Sequence, residues 1–197
     1  MAMEEYRARR TVFEKESAFR VQDGAALVRS IDAADVQRIA LSDVRKVALT
    51  YQPLTLFDRW VCSVEGPGGR IWAPSASFTG LGQAADRRAS FRPFIETLIQ
   101  SIAAQPSAAG IICVKGNNWS AYGALVLLIL LVVMAVLLAL GVAGSMMDGQ
   151  GLGGASWAIL PAVVVLWAAR MVWRVWRRNR RHPFDPNVLP PDFAPLG

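Results

Sequence analysis

Histidine occurs once in this sequence, at His182, and cysteine twice, at Cys62 and Cys113. The two thiols stand far apart with no CxxC spacing, which removes the usual zinc-ligand and dithiol redox motifs. His182 lies beside prolines and reads as a solvated side chain rather than a general base. No G-x-S-x-G and no P-loop is present. The one glycine-rich stretch, "GQGLGG" from Gly149, lacks the strand-to-helix setting that a dinucleotide fingerprint needs. Glu14, Glu16 and Asp43 have no His or Cys near them in sequence to build a metal shell, and read as solvated strand or turn residues. We therefore expect neither catalysis nor a cofactor.

Charge is missing from two long stretches. No Asp, Glu, Lys or Arg occurs between Asn117 and Met147, where "YGALVLLILLVVMAVLLALGV" is almost pure Leu, Val and Ala, and none between Gly149 and Ala169. A helix needs roughly 20 apolar residues to cross the hydrocarbon core. We place one span at about residues 121–143. The second, at about 156–176, becomes apolar only near Trp157 and borrows length from Met171 to Trp176. The alternative, a buried helix of a soluble core, fits the first stretch poorly, because such helices rarely run so long without a polar residue. The N-terminal "MAMEEYRARRTVFEKES" is charged and has no apolar signal-peptide core.

The connection "GSMMDGQGLGG" contains no Lys or Arg, whereas Arg170, Arg174, Arg177, Arg178, Arg180 and Arg181 follow the second stretch. Basic residues favour the cytoplasmic side, so both termini are expected inside. Trp119 and Tyr122 at the entry of the first span, and Trp173 and Trp176 at the exit of the second, then share one interface. Arg174, Arg177 and Arg178 anchor it beside the headgroups. A nucleic-acid arm is the rival reading of the arginines, given a net charge of +6. Residues 1–115, however, carry a near balance of 15 basic and 12 acidic side chains, so the excess is local to the span edge. Nucleic acid is not expected as a partner. Neither span has a charge, His, Asn or Gln at its middle, where ion and proton pathways usually need one. An anchor, or a packing surface for other membrane subunits, is the expectation.

Residues 1–115 read as β-rich. "FRVQDGAALVRS" alternates around Asp23-Gly24, a hairpin turn signal. "QRIALSDVRKVALTYQP" alternates through Ile39 and Leu41, turns at Ser42-Asp43, and resumes through Val47, Leu49 and Tyr51. In "RWVCSVEGPGGRIWAPS", Trp60, Cys62 and Val64 face Ile71 and Ala73 across Gly66-Pro67-Gly68-Gly69. The period then changes. Phe91, Phe94, Ile95, Leu98, Ile99 and Ile102 mark one face of a helix, with Ser90 as its expected N-cap, Pro93 in its first turn and Pro106 as its stop.

Six or seven strands closed by one C-terminal helix is the order of a pleckstrin-homology-like (PH-like) barrel. The stretch "RIALSDVRKVALTYQP" resembles the bacterial PH-like pattern of a strand, a short turn and a strand opening on "V-x-L". The layout as a whole is similar to a group of uncharacterised proteobacterial inner-membrane proteins with a PH-like domain, two spans and a proline-rich tail. The resemblance implies an α+β fold: a PH-like antiparallel barrel or sandwich capped by a helix (1–115), a transmembrane helical hairpin (116–176) and a cytoplasmic Arg/Pro-rich tail (177–197). It also implies a bacterial inner membrane.

The tail, with its five prolines from Pro183 to Pro195, is expected to be extended. It is either a disordered end or a docking strip in which Phe184, Val188, Leu189 and Phe193 lie across a cytoplasmic domain, its own or a partner's. The functional expectation is a non-catalytic, membrane-anchored interaction or scaffold protein. Its partners would be membrane lipids together with a membrane or cytoplasmic protein, or a second copy in a homo-oligomer. One alternative is an anionic-lipid or membrane-surface sensor, with Arg45 and Lys46 as headgroup contacts. The other is an accessory subunit of a membrane enzyme or transport complex.

Overall fold

The computed structural model describes residues 5–32, 34–53, 58–81, 83–116, 118–147, 159–185, 189–190 and 193. Among the described residues the fold is α+β, with several antiparallel sheets and three α-helices. The chain divides into two compact units, Met1–Gly116 with Arg181–Gly197, and Asn117–Arg180.

In the first unit, β1 (Tyr6–Ala8), β2 (Ser17–Gln22), β3 (Ala26–Ser30) and β4 (Val36–Ala40) form one antiparallel sheet in chain order. The turn between β2 and β3 falls where the Asp-Gly pair predicts it. Asp23 and Gly24 are both left-handed, at φ 51° and 62°, and the Ala25 N–H closes on the Gln22 carbonyl at 2.9 Å. Asx and Gly residues adopt this conformation at least cost.

A 3-10 turn at Leu41–Asp43 then carries the chain into β5 (Lys46–Pro53). The turn at Ser42-Asp43 is therefore a crossing between sheets. β4 pairs with β3, whereas β5 pairs with β6 (Asp58–Gly66), and β6 with β7 (Gly69–Pro74). The alternation in the sequence sets the register: Val47 faces Val64, Leu49 faces Cys62 and Tyr51 faces Trp60, and all six are buried. Such apolar cross-strand pairs hold a half-buried sheet together. The β6–β7 turn needs glycine twice. Gly69 has φ 106°, and a Cβ on Gly68 would stand 2.9 Å from the Arg38 carbonyl.

The hairpin β8 (Ala76–Gly80) and β9 (Gln83–Asp86) leads into α1 (Arg88–Ala103). All six residues of the predicted face of α1 are buried, and the helix packs on β1 and β2. Phe91 and Phe94 surround the Tyr6 ring at 5.6 and 5.2 Å, with Phe19 at 5.9 Å. The start of α1 differs from expectation. Asp86, not Ser90, satisfies an early donor: its carboxylate accepts the Arg88 N–H at 2.9 Å, while Ser90 lies inside the first turn and donates to the Arg87 carbonyl. Pro93 consequently falls in the second turn rather than the first.

The helix is also not the last element of the module. After a 3-10 turn at Ala108–Gly110, β10 (Ile112–Lys115) joins the second sheet parallel to β5, and β11 (His182–Pro183) pairs with β10, giving the order β11-β10-β5-β6-β7. In the second unit, α2 (Asn118–Met147) and α3 (Ile159–Asn179) pack against each other.

Candidate functional site

Two features of the molecule ask for a function, one in each unit. In α2, residues Tyr122–Gly144 form a 23-residue apolar stretch with mean hydropathy 3.4, in which Ala124 is the one buried residue. At 1.5 Å per residue that stretch is about 35 Å long, enough for a hydrocarbon core of about 30 Å. The exposure runs around the helix, through Leu127, Val132, Val133 and Ala135. A soluble protein does not leave such an area to water. Among the described residues, α2 is the one helix long and apolar enough to cross a membrane.

The second predicted span corresponds to α3. It exposes Val163, Val164, Leu166 and Trp167 but carries arginine from Arg170 onward. Residues 156–158 of that span lie outside the described residues. Of the predicted interface anchors, Tyr122 is exposed, and the side chain of Trp119 lies outside the described ones. Trp173 and Trp176 lie together with ring centroids 4.9 Å apart, and the Arg180 guanidinium sits 4.9 Å from the Trp176 ring. Arg177 and Arg178 occupy the last turn of α3, where the helix dipole favours a cation; Arg174 is exposed one turn earlier.

The other feature is an aromatic slot in the β-module, filled by the chain's own tail. Phe193 is only 1% exposed. Its ring packs edge-on against Trp60 at 5.2 Å and against Phe91 at 5.7 Å, and Tyr51 meets Trp60 from the other strand at 5.5 Å. The slot thus combines the sheet period, which buries Trp60, with the helix period, which buries Phe91. Upstream, the Phe184 N–H donates to the Cys113 carbonyl at 3.2 Å and extends the β10–β11 pairing. Phe184 and Leu189 are half-buried, and the Phe193 N–H turns back to the Pro190 carbonyl at 2.9 Å. Of the strip read from the sequence, Phe193 packs into the chain's own domain, and Val188 lies outside the described residues.

Cys62 and Cys113 are free and buried beneath this region. Burial, reinforced by Cys113, pushes the Cys62 thiol up to about 12; burial and the nearby Asp185 raise Cys113 as well. Both are held as thiols, the unreactive form.

Arg45 is exposed and Lys46 half-buried where the chain enters β5. Adjacent residues in extended backbone point to opposite sides, so these two do not converge on one headgroup. A shallow open cleft of about 210 Å³ is lined by Glu5, Arg7, Glu16, Ala18, Ser30 and Ile31, with Glu5 and Arg7 paired at 2.6 Å. Among the described residues no group of His, Cys, Asp or Glu could hold a metal.

Sequence reading missed one buried polar cluster. Arg59 is 6% exposed, donates Nη1 to the Arg10 carbonyl at 3.0 Å and covers the Phe78 ring at 5.7 Å. Glu14, read as solvated, accepts from Arg10 Nη2 at 2.6 Å, and its Oε2 and the Arg59 Nε are buried without a partner. Burial, with repulsion from Arg10, lowers the Arg59 pKa. No spacing rule points to this cluster, because its members come from separate elements. No family model matches the chain, and no curated protein or solved structure is similar to it.

Proposed function

We propose that this chain is a non-catalytic membrane-anchored interaction protein, in which α2 and α3 cross the bacterial inner membrane as a hairpin and hold a PH-like module at the cytoplasmic face. The observation that carries the reading is the apolar stretch of α2, Tyr122–Gly144, which is exposed or half-buried at every residue but Ala124. Lipid is the medium that such a surface matches.

Chain connectivity supports the hairpin. β10 ends at Lys115, three residues before α2 begins, and β11 starts three residues after α3 ends. Lys115 and His182 are register partners. Within their own unit α2 and α3 pack against each other, as the two arms of a hairpin do. The PH-like reading is supported by a sheet of β1 to β4, a second built on β5 to β7, and α1 after them. β8 to β11 are additions to that plan.

The module's role is to bind a protein partner, or a second copy, at a sheet edge, as small β-domains do. The divergence of Arg45 and Lys46 weighs against a headgroup sensor built on that pair. The experiment is fractionation of cells expressing the full chain. The protein should stay in the membrane pellet through an alkaline carbonate wash; release into the supernatant would refute the anchor.

A further inference from the structure

We infer that the arginine face of α3 is a binding surface for the phosphate headgroups of anionic phospholipids. This rests on the membrane reading above and adds to it a chemical preference among lipids. Arg170, Arg174, Arg177 and Arg178 recur at i, i+4, i+7 and i+8 of one continuous helix. At 3.6 residues per turn they share about 100° of arc and extend over about 12 Å of axis. Val172 and Asn179, which are buried, fall on the opposite side. The arginines therefore occupy the face turned away from the packing.

Acidic side chains are scarce along this segment of the sequence. Between Asn118 and Asn179 the sequence holds a single acidic residue, Asp148, in the connection at the other end of the helices. Among the described residues no ion pair involves Arg170, Arg174 or Arg177. In the β-module, by contrast, Arg7, Arg10, Arg70, Arg88 and Arg92 each sit on a carboxylate. Aligned like charges repel one another, and anions from outside the chain relieve that repulsion at Arg170, Arg174 and Arg177.

The type of cation narrows the anion. All five basic residues from Arg170 to Arg180 are arginine and none is lysine. The guanidinium fork matches the paired oxygens of a phosphate, where an ammonium offers only a point charge. The exposed Trp173 and its neighbour Trp176 lie on the same helix segment, and indole rings favour the headgroup level of a bilayer. Phosphate and indole-compatible interface coincide at an anionic leaflet. Each basic residue near such a surface contributes about 1 kcal/mol, or about fivefold in affinity.

The test uses the full chain incorporated into nanodiscs of phosphatidylcholine, with or without phosphatidylglycerol. Native mass spectrometry then counts the lipids that remain bound. The wild type should retain phosphatidylglycerol over phosphatidylcholine. Arg170→Gln, Arg174→Gln and Arg177→Gln should each lower that preference about fivefold, and the corresponding Lys variants, which keep the charge, should keep most of it. Equal retention of both lipids by wild type, with normal entry into phosphatidylcholine discs, overturns this inference and leaves the anchor standing. Failure to enter any disc overturns both. Displacement of the bound lipid by a short RNA, lost in the same Gln variants, would reassign the face to nucleic acid.

Discussion

At the scale of single residues, the tail slot depends on Phe193. A fully buried ring packed on Trp60 and Phe91 stabilises the module by the transfer of its surface and by the filled volume. Phe193→Ala should destabilise the β-module by about 3 kcal/mol, read as a lower denaturant midpoint for the full chain in detergent. Indole emission should shift to the red as Trp60 loses its neighbour. An unchanged midpoint would mean that the tail contributes nothing to the fold.

Cys62 makes a second residue-scale prediction. Its folded thiol titrates near 12 against an ordinary value of 9.0. The folded state therefore holds its proton where the unfolded state has lost it. Stability from this group is complete below about pH 9 and falls as pH rises from there toward 12. Cys62→Ala should flatten that alkaline limb in denaturation curves recorded across the range. A limb of the same slope in the variant would place the titration elsewhere.

At the scale of elements, what the sequence made legible depended on period. β5, β6, β7 and α1 each bury the residues their patterns predict, because alternation and the 3.6-residue repeat act along one segment. β9, "QAAD", has no β-branched residue to signal it. β10, "ICVK", lies close before α2 and takes its place by parallel pairing with Lys46–Leu49, more than sixty residues earlier. Contacts of that range leave no local trace. The slot shows the same limit. Phe184, Leu189 and Phe193 could be singled out as a docking strip, but Trp60 and Phe91 each satisfied its own element's pattern, and only the fold brings them together. The Arg10–Glu14–Arg59 cluster was invisible for the same reason.

α2 carries the element-scale prediction. Val133 lies at the middle of its apolar window and is exposed. Val133→Asp should raise the apparent cost of insertion by about 3 kcal/mol and shift the chain toward the soluble fraction. A core helix of a soluble protein would not respond this way at an exposed position, so an unaffected membrane fraction would argue against lipid around α2.

At the scale of the whole molecule, the C-terminal tail adds β11 to the edge of the second sheet, and the chain runs from β10 into α2 and from α3 into β11. The tail that follows the helices thus extends the sheet that precedes them, and Lys115 and His182, more than sixty residues apart in sequence, share one ladder.

The central claim is that the chain enters and leaves the membrane on the same side. It is tested most directly by Gly149→Cys in intact cells treated with a membrane-impermeant maleimide; Cys62 and Cys113 are buried and leave a quiet background. The account predicts labelling at residue 149 from outside the cytoplasmic membrane without permeabilisation. Labelling only after the cells are opened would contradict it.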